Sequence, residues 1–459
     1  MSKHIHILGI CGTFMGSIAV LARQLGYTVT GCDANVYPPM STYLEAQGIE
    51  IVPGFGAEQL AQFPADKFII GNVMSRGKPV LEALLNERLP YYSGPAWLAQ
   101  NVLQDKKVIV VAGTHGKTTT SSMLAWILEY AGRSPGFLIG GIPENFGVSS
   151  RVTDSDWFVV EGDEYDTAFC DKRSKFVHYR PHIALLNNLE FDHADIFPDI
   201  SAIQTQFHHL VRIVPEKGWV VSNQDAPYLD DVLAQGCWSQ QSHFGLHAAW
   251  QAQSIAADHS AFSVWHEGMQ VGEVDYNLMG EHNQQNALAA IATANAAGVD
   301  VATSCAALAN FQNAKRRMEH RGEVNGICVY DDFSHHPTAI RLTLEGMQKR
   351  VKGAGRVFAV LEPRSNTMRM NYHGHALRDA LQYCDQGFVY QAPSLTWELD
   401  ETLAGSDIPL SVYKDFDALV GAICVYAEPG DKIVVMSNGG FGNIHQKLLS
   451  ALASKPVIA

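Results

Sequence analysis

A strongly apolar segment, Lys107 to Ala112, runs directly into Gly113-Thr114-His115-Gly116-Lys117-Thr118-Thr119-Thr120, and a helical pattern follows from Ser121 to about Tyr130. No other feature constrains the fold as much. An uninterrupted apolar strand is buried on both faces, which implies a parallel sheet covered by helices. The turn aims backbone N–H groups and the positive end of a helix at one point, which suits a phosphate. Lys117 adds a mobile charge, and the Thr118 hydroxyl suits Mg²⁺. In the usual phosphate loop a glycine stands five positions before the Gly of the Gly-Lys pair. Val111 occupies that position, so the turn is a shorter Gly113-x-x-Gly116-Lys-Thr form. A plain strand–helix turn with an exposed lysine is the competing reading, but strand, glycines, Lys and Thr all fall in the required order. ATP with Mg²⁺ is therefore the expected ligand.

The 459 residues correspond to about three domains at ~150 residues each. Strands alternate with helices from His4–Gly9 through Tyr27–Cys32 and Phe68–Ile70 to Tyr91–Tyr92, so residues 1–104 read as a Rossmann-like α/β domain. Residues 105–322 form the central segment around the phosphate loop, with further buried strands at Trp157–Val160 and Ile183–Leu186 and an Ala- and Asn-rich helix from Glu281 to Ala297. Residues 323–459 are again α/β, with strands at Gly326–Tyr330, Arg356–Leu361, Gly387–Tyr390 and Lys432–Met436. The formal charge of −14 argues against a nucleic-acid partner, because a phosphate backbone needs a basic footprint. No apolar run approaches the ~20 residues of a membrane span. The eight cysteines include no CxxC pair, so a reducing cytoplasm fits. No obligate protein partner is expected.

Carboxylates gather at the strand tips. Glu161 follows Trp157–Val160 and is placed to hold Mg²⁺, and Asp163, Glu164 and Asp166 crowd the same loop. The second tip, Asn187-Asn188-Leu189-Glu190-Phe191-Asp192-His193, makes His193 a metal ligand or phosphate donor. In the first domain, Gly9-Ile10-Cys11-Gly12-Thr13-Phe14-Met15-Gly16 lacks the G-x-G-x-x-G spacing, with Cys11 and Phe14 where glycines would stand. The NAD reading is weakened, though the loop still suits a diphosphate, and Asp33 is placed for a sugar or base. The third segment opens with Tyr330-Asp331-Asp332-Phe333-Ser334-His335-His336-Pro337-Thr338, polar groups between a strand and a helix start at Pro337. The paired histidines lack the partners of a zinc site. Arg364, after the next strand, can clamp a carboxylate. An ATP-driven motor and a kinase fit some of these features. A ligase is more economical, since it uses one site for each of three substrates.

Three ordered signatures, Gly9–Gly16, Gly113–Thr119 and Asp331–Thr338, make the chain resemble the Mur ligases, which build the peptide stem of peptidoglycan, over essentially its whole length. The resemblance implies the three-domain Mur ligase architecture: a UDP-N-acetylmuramate-binding domain, a central ATPase domain and a Rossmann-like C-terminal domain that closes over ATP. Gly9–Gly16, Asp33-Ala34-Asn35-Val36-Tyr37-Pro38-Pro39-Met40 and Glu161-Gly162-Asp163-Glu164-Tyr165-Asp166-Thr167-Ala168 resemble the recycling branch. That branch joins the lactyl carboxylate of UDP-N-acetylmuramate to the murein tripeptide L-Ala-γ-D-Glu-meso-diaminopimelate through an acyl phosphate. The alternative branch adds L-alanine. By the same resemblance, Lys117, Glu161 and His193 are catalytic, and Thr118, Glu161 and His193 hold metal. ATP falls to Gly113, Thr114, His115, Gly116, Lys117, Thr118, Thr119, His282, Asn283, Asn286, Arg317 and Asp331. The UDP-sugar falls to Gly12, Thr13, Phe14, Met15, Asp33 and Ser75, and the peptide to His335, His336, Arg364 and Arg369. Several relatives carry a carbamylated lysine about fifteen residues after the position of His193. No lysine occurs here between His193 and Val211, and His208 is a candidate to fill that space.

Overall fold

The computed structural model describes residues 3–36, 40–372 and 374–455, so Tyr37, Pro38 and Pro39 of the Asp33–Met40 stretch lie outside the described residues. The strands fall into three large sheets and one hairpin. The first sheet is parallel throughout, in the order Glu50–Pro53, Thr28–Asp33, His4–Leu8, Lys67–Ile70, Tyr91–Ser93. The connections leave His4–Leu8 in opposite directions, so a crevice opens beyond its C-terminal end, where such sheets hold ligands. The loop Gly9–Gly12 and helix Thr13–Gln24 occupy that place.

The central sheet has ten strands. Lys107–Ala112 lies between Trp157–Gly162 and Ile183–Leu186, parallel to both. Its even-numbered residues Val108, Val110 and Ala112 enter a core shared with the first domain. Ile109 and Val111 enter a second core beneath helices Lys117–Tyr130 and Glu281–Ala296. Val111 therefore replaces the usual loop glycine because position 111 is still strand interior, fully buried. The register sets Val111 beside Glu161 and Ala112 beside Leu186, which brings three strand tips to one level.

Beyond Ile183–Leu186 the sheet continues through Trp219–Asn223, Gln240–Phe244, Trp250–Ser254, Ala261–His266 and Met269–Asp275, with Ala261–His266 antiparallel to both of its neighbours. The polar stretch 235–253 shows no clear period because its strands lie toward one edge and expose much of their side chains.

The third sheet is parallel except for its first strand, Glu319–Val324, which forms a hairpin with Ile327–Asp332. That strand crosses the expected boundary at 322/323. It was not legible because all of its side chains are polar apart from Val324, and none is fully buried.

The C-terminal domain is tied to the central one by polar contacts. The Thr338 hydroxyl donates to Glu190 at 2.8 Å and the Thr367 hydroxyl to Asp192 at 2.7 Å. Asn366 donates to Asp195 at 2.8 Å, and Arg350 pairs with Asp258 at 3.0 Å. The Thr367–Asp192 bond is buried. Thr367→Val keeps the shape and leaves a buried carboxylate oxygen without this donor, which costs about 1–3 kcal/mol. The expected result is a lower melting temperature and faster amide exchange over residues 188–195.

Candidate active site

The phosphate loop leaves the tip of Lys107–Ala112 and enters helix Lys117–Tyr130 through Gly116, whose φ is 76°. A Cβ on Gly116 would stand 2.5 Å from Asn286 Oδ1 and 3.0 Å from Asn187 Nδ2. Those two amides bond each other at 2.7 Å. Asn286 also reaches Asn283 at 3.4 Å, and Asn283 holds the Met279 carbonyl at 2.8 Å. Asn283 and Asn286 thus brace the loop from the start of helix Glu281–Ala296. From the other side the Asn188 side chain accepts from the His115 N–H at 2.8 Å, and Thr114 exchanges hydrogen bonds with the Glu190 backbone. His282 lines the same cavity, and burial lowers its pKa to about 4, so its imidazole is neutral.

The Lys117 ammonium donates to both Glu164 oxygens, at 2.8 and 3.1 Å, and to the Gly113 carbonyl at 2.6 Å. His193 Nε2 lies 3.0 Å from Glu164 Oε1. A buried chain, Lys117–Glu164–His193, results. Burial opposes each of these charges, but their mutual attraction outweighs it. Lys117 and His193 are held above their usual pKa and Glu164 below its own. Asp163 and Asp192 are likewise held well below the carboxylate range. Lys175 and Lys117 act on Asp163, and His193 and His335 act on Asp192, in each case against burial.

A second cluster stands apart from that chain. The Thr118 hydroxyl donates to Glu161 Oε2 at 3.0 Å, the Gly140 N–H donates to the same oxygen at 2.8 Å, and Arg317 donates to Thr118 Oγ1 at 3.1 Å. Gly140 and Gly141 permit this approach, since a Cβ at either would lie 2.9 Å from Glu161 Oε1 or from Thr118 Cγ2. The Gly-Gly pair was the available sequence signal for this wall. Two hard oxygen donors facing a phosphate loop fit Mg²⁺. His193 is bonded to Glu164 and not to this pair, so the three residues expected to share a metal are divided between two clusters.

A cavity of about 610 Å³ joins these groups, with Thr114, Lys117, Glu161, His193, His282 and Arg317 among its lining. The third domain supplies Asp332, His335 and His336 to it. His336 caps helix Pro337–Val351 through the Thr338 N–H at 3.3 Å, and its ring centre lies 4.5 Å from that of His115. Glu190 stands 3.1 Å from His115 and 3.6 Å from His336. His335, neutral because burial lowers its pKa to about 4, faces the Asp192 charge.

Asp331 is placed differently from expectation. It shares a strand face with Ile327 and Val329 and meets Arg316 at 3.4 Å and His445 at 3.3 Å. Asp332, on the opposite face, lines the cavity and accepts from the Met318 and Ser334 N–H groups, each at 2.8 Å. The two-residue period of a strand distinguishes these neighbours, and that signal was available.

Arg364 and Arg369 lie outside this cavity. Arg364 is exposed, 3.9 Å from Glu362, and packs against Gly439, where a Cβ would stand 2.4 Å from Nη1. Arg369 Nε is buried without a hydrogen-bond partner. In the first domain Gly12 and Thr13 are exposed at the helix start, and Asp33 accepts from the Cys11 N–H at 3.0 Å, which shapes the loop. Met15 packs into the core, so its side chain is committed to packing, and Ser75 is exposed on a turn. His208 meets the Gly236 carbonyl at 3.2 Å and the Trp238 ring, away from the cleft, so it does not fill the place of a modified lysine.

Three α/β layers around one phosphate loop, with an oxygen-donor pair beside it and a third domain reaching into the cleft, define an ATP-dependent ligase. The chain belongs to the Mur ligase family. It matches the models of the Mur ligase family catalytic domain over residues 4–106, the Mur ligase middle domain over 111–294 and the glutamate ligase domain over 316–439. It is 55% identical to the UDP-N-acetylmuramate–L-alanyl-γ-D-glutamyl-meso-2,6-diaminoheptandioate ligase of Escherichia coli K12, covering 98% of each chain. A UDP-N-acetylmuramate–L-alanine ligase of Desulforapulum autotrophicum is 31% identical, over 98% of this chain and 99% of its own. Among solved structures, a murein peptide ligase from Psychrobacter arcticus superposes with a TM-score of 0.77 at 47% identity, covering all of both chains. Among the described residues no helix is long and apolar enough to cross a membrane.

The buried chain makes stability depend on pH in two opposite senses. Glu164, Asp163 and Asp192 have depressed folded-state pKa values. Their contribution is complete above the unfolded carboxylate value and is lost as pH falls through the folded ones. His193 is raised, so its contribution is complete below ~6.5, the unfolded value, and fades as pH rises through the folded one. In Glu164→Gln the larger attraction is gone, only that of Asp192 is left, and burial remains. An NMR titration without added metal should find the His193 pKa above 6.5 in the parent and lower in the variant.

Proposed function

We propose that this protein joins the lactyl carboxylate of UDP-N-acetylmuramate to the L-Ala amine of L-Ala-γ-D-Glu-meso-diaminopimelate, with ATP as the energy source, in peptidoglycan recycling in the cytoplasm. The observation that carries the reading is a cleft between the central and third domains with the first domain standing beside it. The central domain supplies the phosphate loop, the third domain reaches in with His335 and His336, and the first domain's glycine loop stands alongside through Phe14, 5.8 Å from the Lys175 ammonium. The 55% identity to the tripeptide-adding ligase against 31% to an alanine-adding one favours the tripeptide over alanine.

The residues divide the work. Backbone N–H groups of Gly113–Thr119 and the Lys117 ammonium hold the ATP phosphates, with Asn283 and Asn286 fixing the loop and His282 facing the nucleotide. Thr118 and Glu161 would hold Mg²⁺, while His193, paired with Glu164, stands at the acidic end of the cleft. Bound there, the metal would neutralise charge on the phosphate oxygens. Arg317, donating to Thr118, adds positive charge at the same place. A carboxylate oxygen of the muramate bonds to the γ-phosphorus as its bond to ADP breaks, and the peptide amine then displaces phosphate from the carbonyl. Lys117 stabilises charge on the transferred group. Asp332, by its position in the cavity, replaces Asp331 as the nearer candidate for the nucleotide. The first-domain helix start, Gly12 to Phe14, receives the UDP diphosphate, while Arg364 and Arg369, beyond the end of the third domain's strand Val357–Leu361, are assigned to peptide carboxylates. Holding the reactants in line contributes a large entropic advantage, and no separate general base is assigned.

Phosphate release with ATP, Mg²⁺ and UDP-N-acetylmuramate should depend on the tripeptide and respond little to L-alanine, with product mass as the check. Turnover on alanine alone would assign the chain to the alanine-adding branch. Lys117→Met should lower tripeptide-dependent turnover by about 10²–10³-fold, the effect of removing one transition-state charge donor.

A further inference from the structure

Lys175 is only 8% exposed, though lysine is almost never buried without a partner. Its ammonium pairs with Asp163. Its N–H donates to the Tyr165 carbonyl at 3.1 Å, and the neighbouring Ser174 hydroxyl donates to the Glu164 carbonyl. These contacts zip the start of the short helix Lys175–His178 onto the acidic loop and fix where the charge stands. The ammonium lies 5.8 Å from the centre of the Phe14 ring and 5.7 Å from that of Tyr165. Phe14 stands in the first turn of the helix that follows the first-domain glycine loop, whereas Asp163 lines the phosphate cavity. Lys175 therefore stands where the two sites meet.

A carboxylate moving from the first-domain loop toward the ATP phosphates enters a region already crowded by Glu161, Asp163, Glu164 and Asp192. A cation must offset that repulsion. Lys117 is occupied by Glu164 and the Gly113 and Thr114 carbonyls. Lys175 has three donor hydrogens, and Asp163 engages one of them. We propose that Lys175 binds the lactyl carboxylate of the UDP-sugar and holds it at the mouth of the phosphate cavity. This inference rests on the function proposed above.

UDP-N-acetylglucosamine is the same sugar nucleotide without the lactyl group, so it isolates this contact. Calorimetry should show the parent protein binding UDP-N-acetylmuramate about 10- to 100-fold more tightly than UDP-N-acetylglucosamine, the range of one charge-assisted hydrogen bond. In Lys175→Met, which keeps the stem beside Phe14 and Tyr165, that preference should collapse. Lys175→Arg should retain most of it, and the KM for ATP should be unchanged. Lys175→Gln provides the same reading if the Met variant does not fold. A preference that survives loss of the charge, or an equal loss of affinity for both nucleotides, overturns the proposal. A parent protein that binds ATP but neither UDP-sugar overturns the proposed function itself, and this inference with it.

Discussion

A lysine held in a phosphate cleft needs a counter-charge before any ligand arrives, and Glu164 provides it. Burying two ions costs several kcal/mol each, which only close pairing and further hydrogen bonds offset. Here the pair is supported on both sides. Lys117 also bonds the Gly113 carbonyl, and Glu164 also meets His193. The loop cannot shift without breaking these bonds, so the position of Lys117 is set by a residue on the adjacent strand's tip. Removing one partner from such a pair costs ~3–5 kcal/mol, because the other charge is left buried.

The same requirement explains why the domains meet where they do. Glu190 and Asp192 follow the strand Ile183–Leu186, and each accepts a hydroxyl from the C-terminal domain. The backbone of Glu190 holds Thr114 in the phosphate loop, and Asp192 adjoins His193. One short segment is therefore bonded to both the phosphate loop and the C-terminal domain. A continuous run of hydrogen bonds links the third domain to Lys117 through Asp192, His193 and Glu164. The His115–Glu190–His336 cluster is part of this seam. Its central carboxylate, with a pKa lowered to about 2 by hydrogen bonding and the nearby imidazoles against the effect of burial, stays ionised.

Much of this was legible in the sequence where local pattern and burial agree. Ile183–Leu186 and Lys432–Met436 are fully apolar inside, and their limits match the structure. The phosphate loop was legible because glycine, lysine and threonine there answer to backbone geometry and charge, which are local. Strands at or near a sheet edge were not, since Glu319–Val324 and Trp250–Ser254 bury too little to show an alternating pattern. Long-range pairings were also hidden. Glu164 lies 47 positions from Lys117, and four carboxylates so close in sequence look alike until the fold sets each beside its own partner.

The register argument reaches furthest at Asp331 and Asp332. Both stand at the end of one strand, and composition cannot separate them. Side chains alternate across a sheet, so Asp331 follows Val329 toward the terminal helix and its His445, while Asp332 follows Tyr330 toward helix Pro337–Val351 and the cleft. Burial treats the two differently. Asp331 has His445 and Arg316 near it and is held below the ordinary range, whereas burial raises Asp332 despite two backbone donors and the Arg317 charge. A carboxylate raised in this way is short of positive charge or donors, and a nucleotide's hydroxyl groups would supply the donors. The acid that faces the cavity is thus also the one whose surroundings favour a further hydrogen-bond donor, and that coincidence ties the third domain's first parallel strand to the cleft.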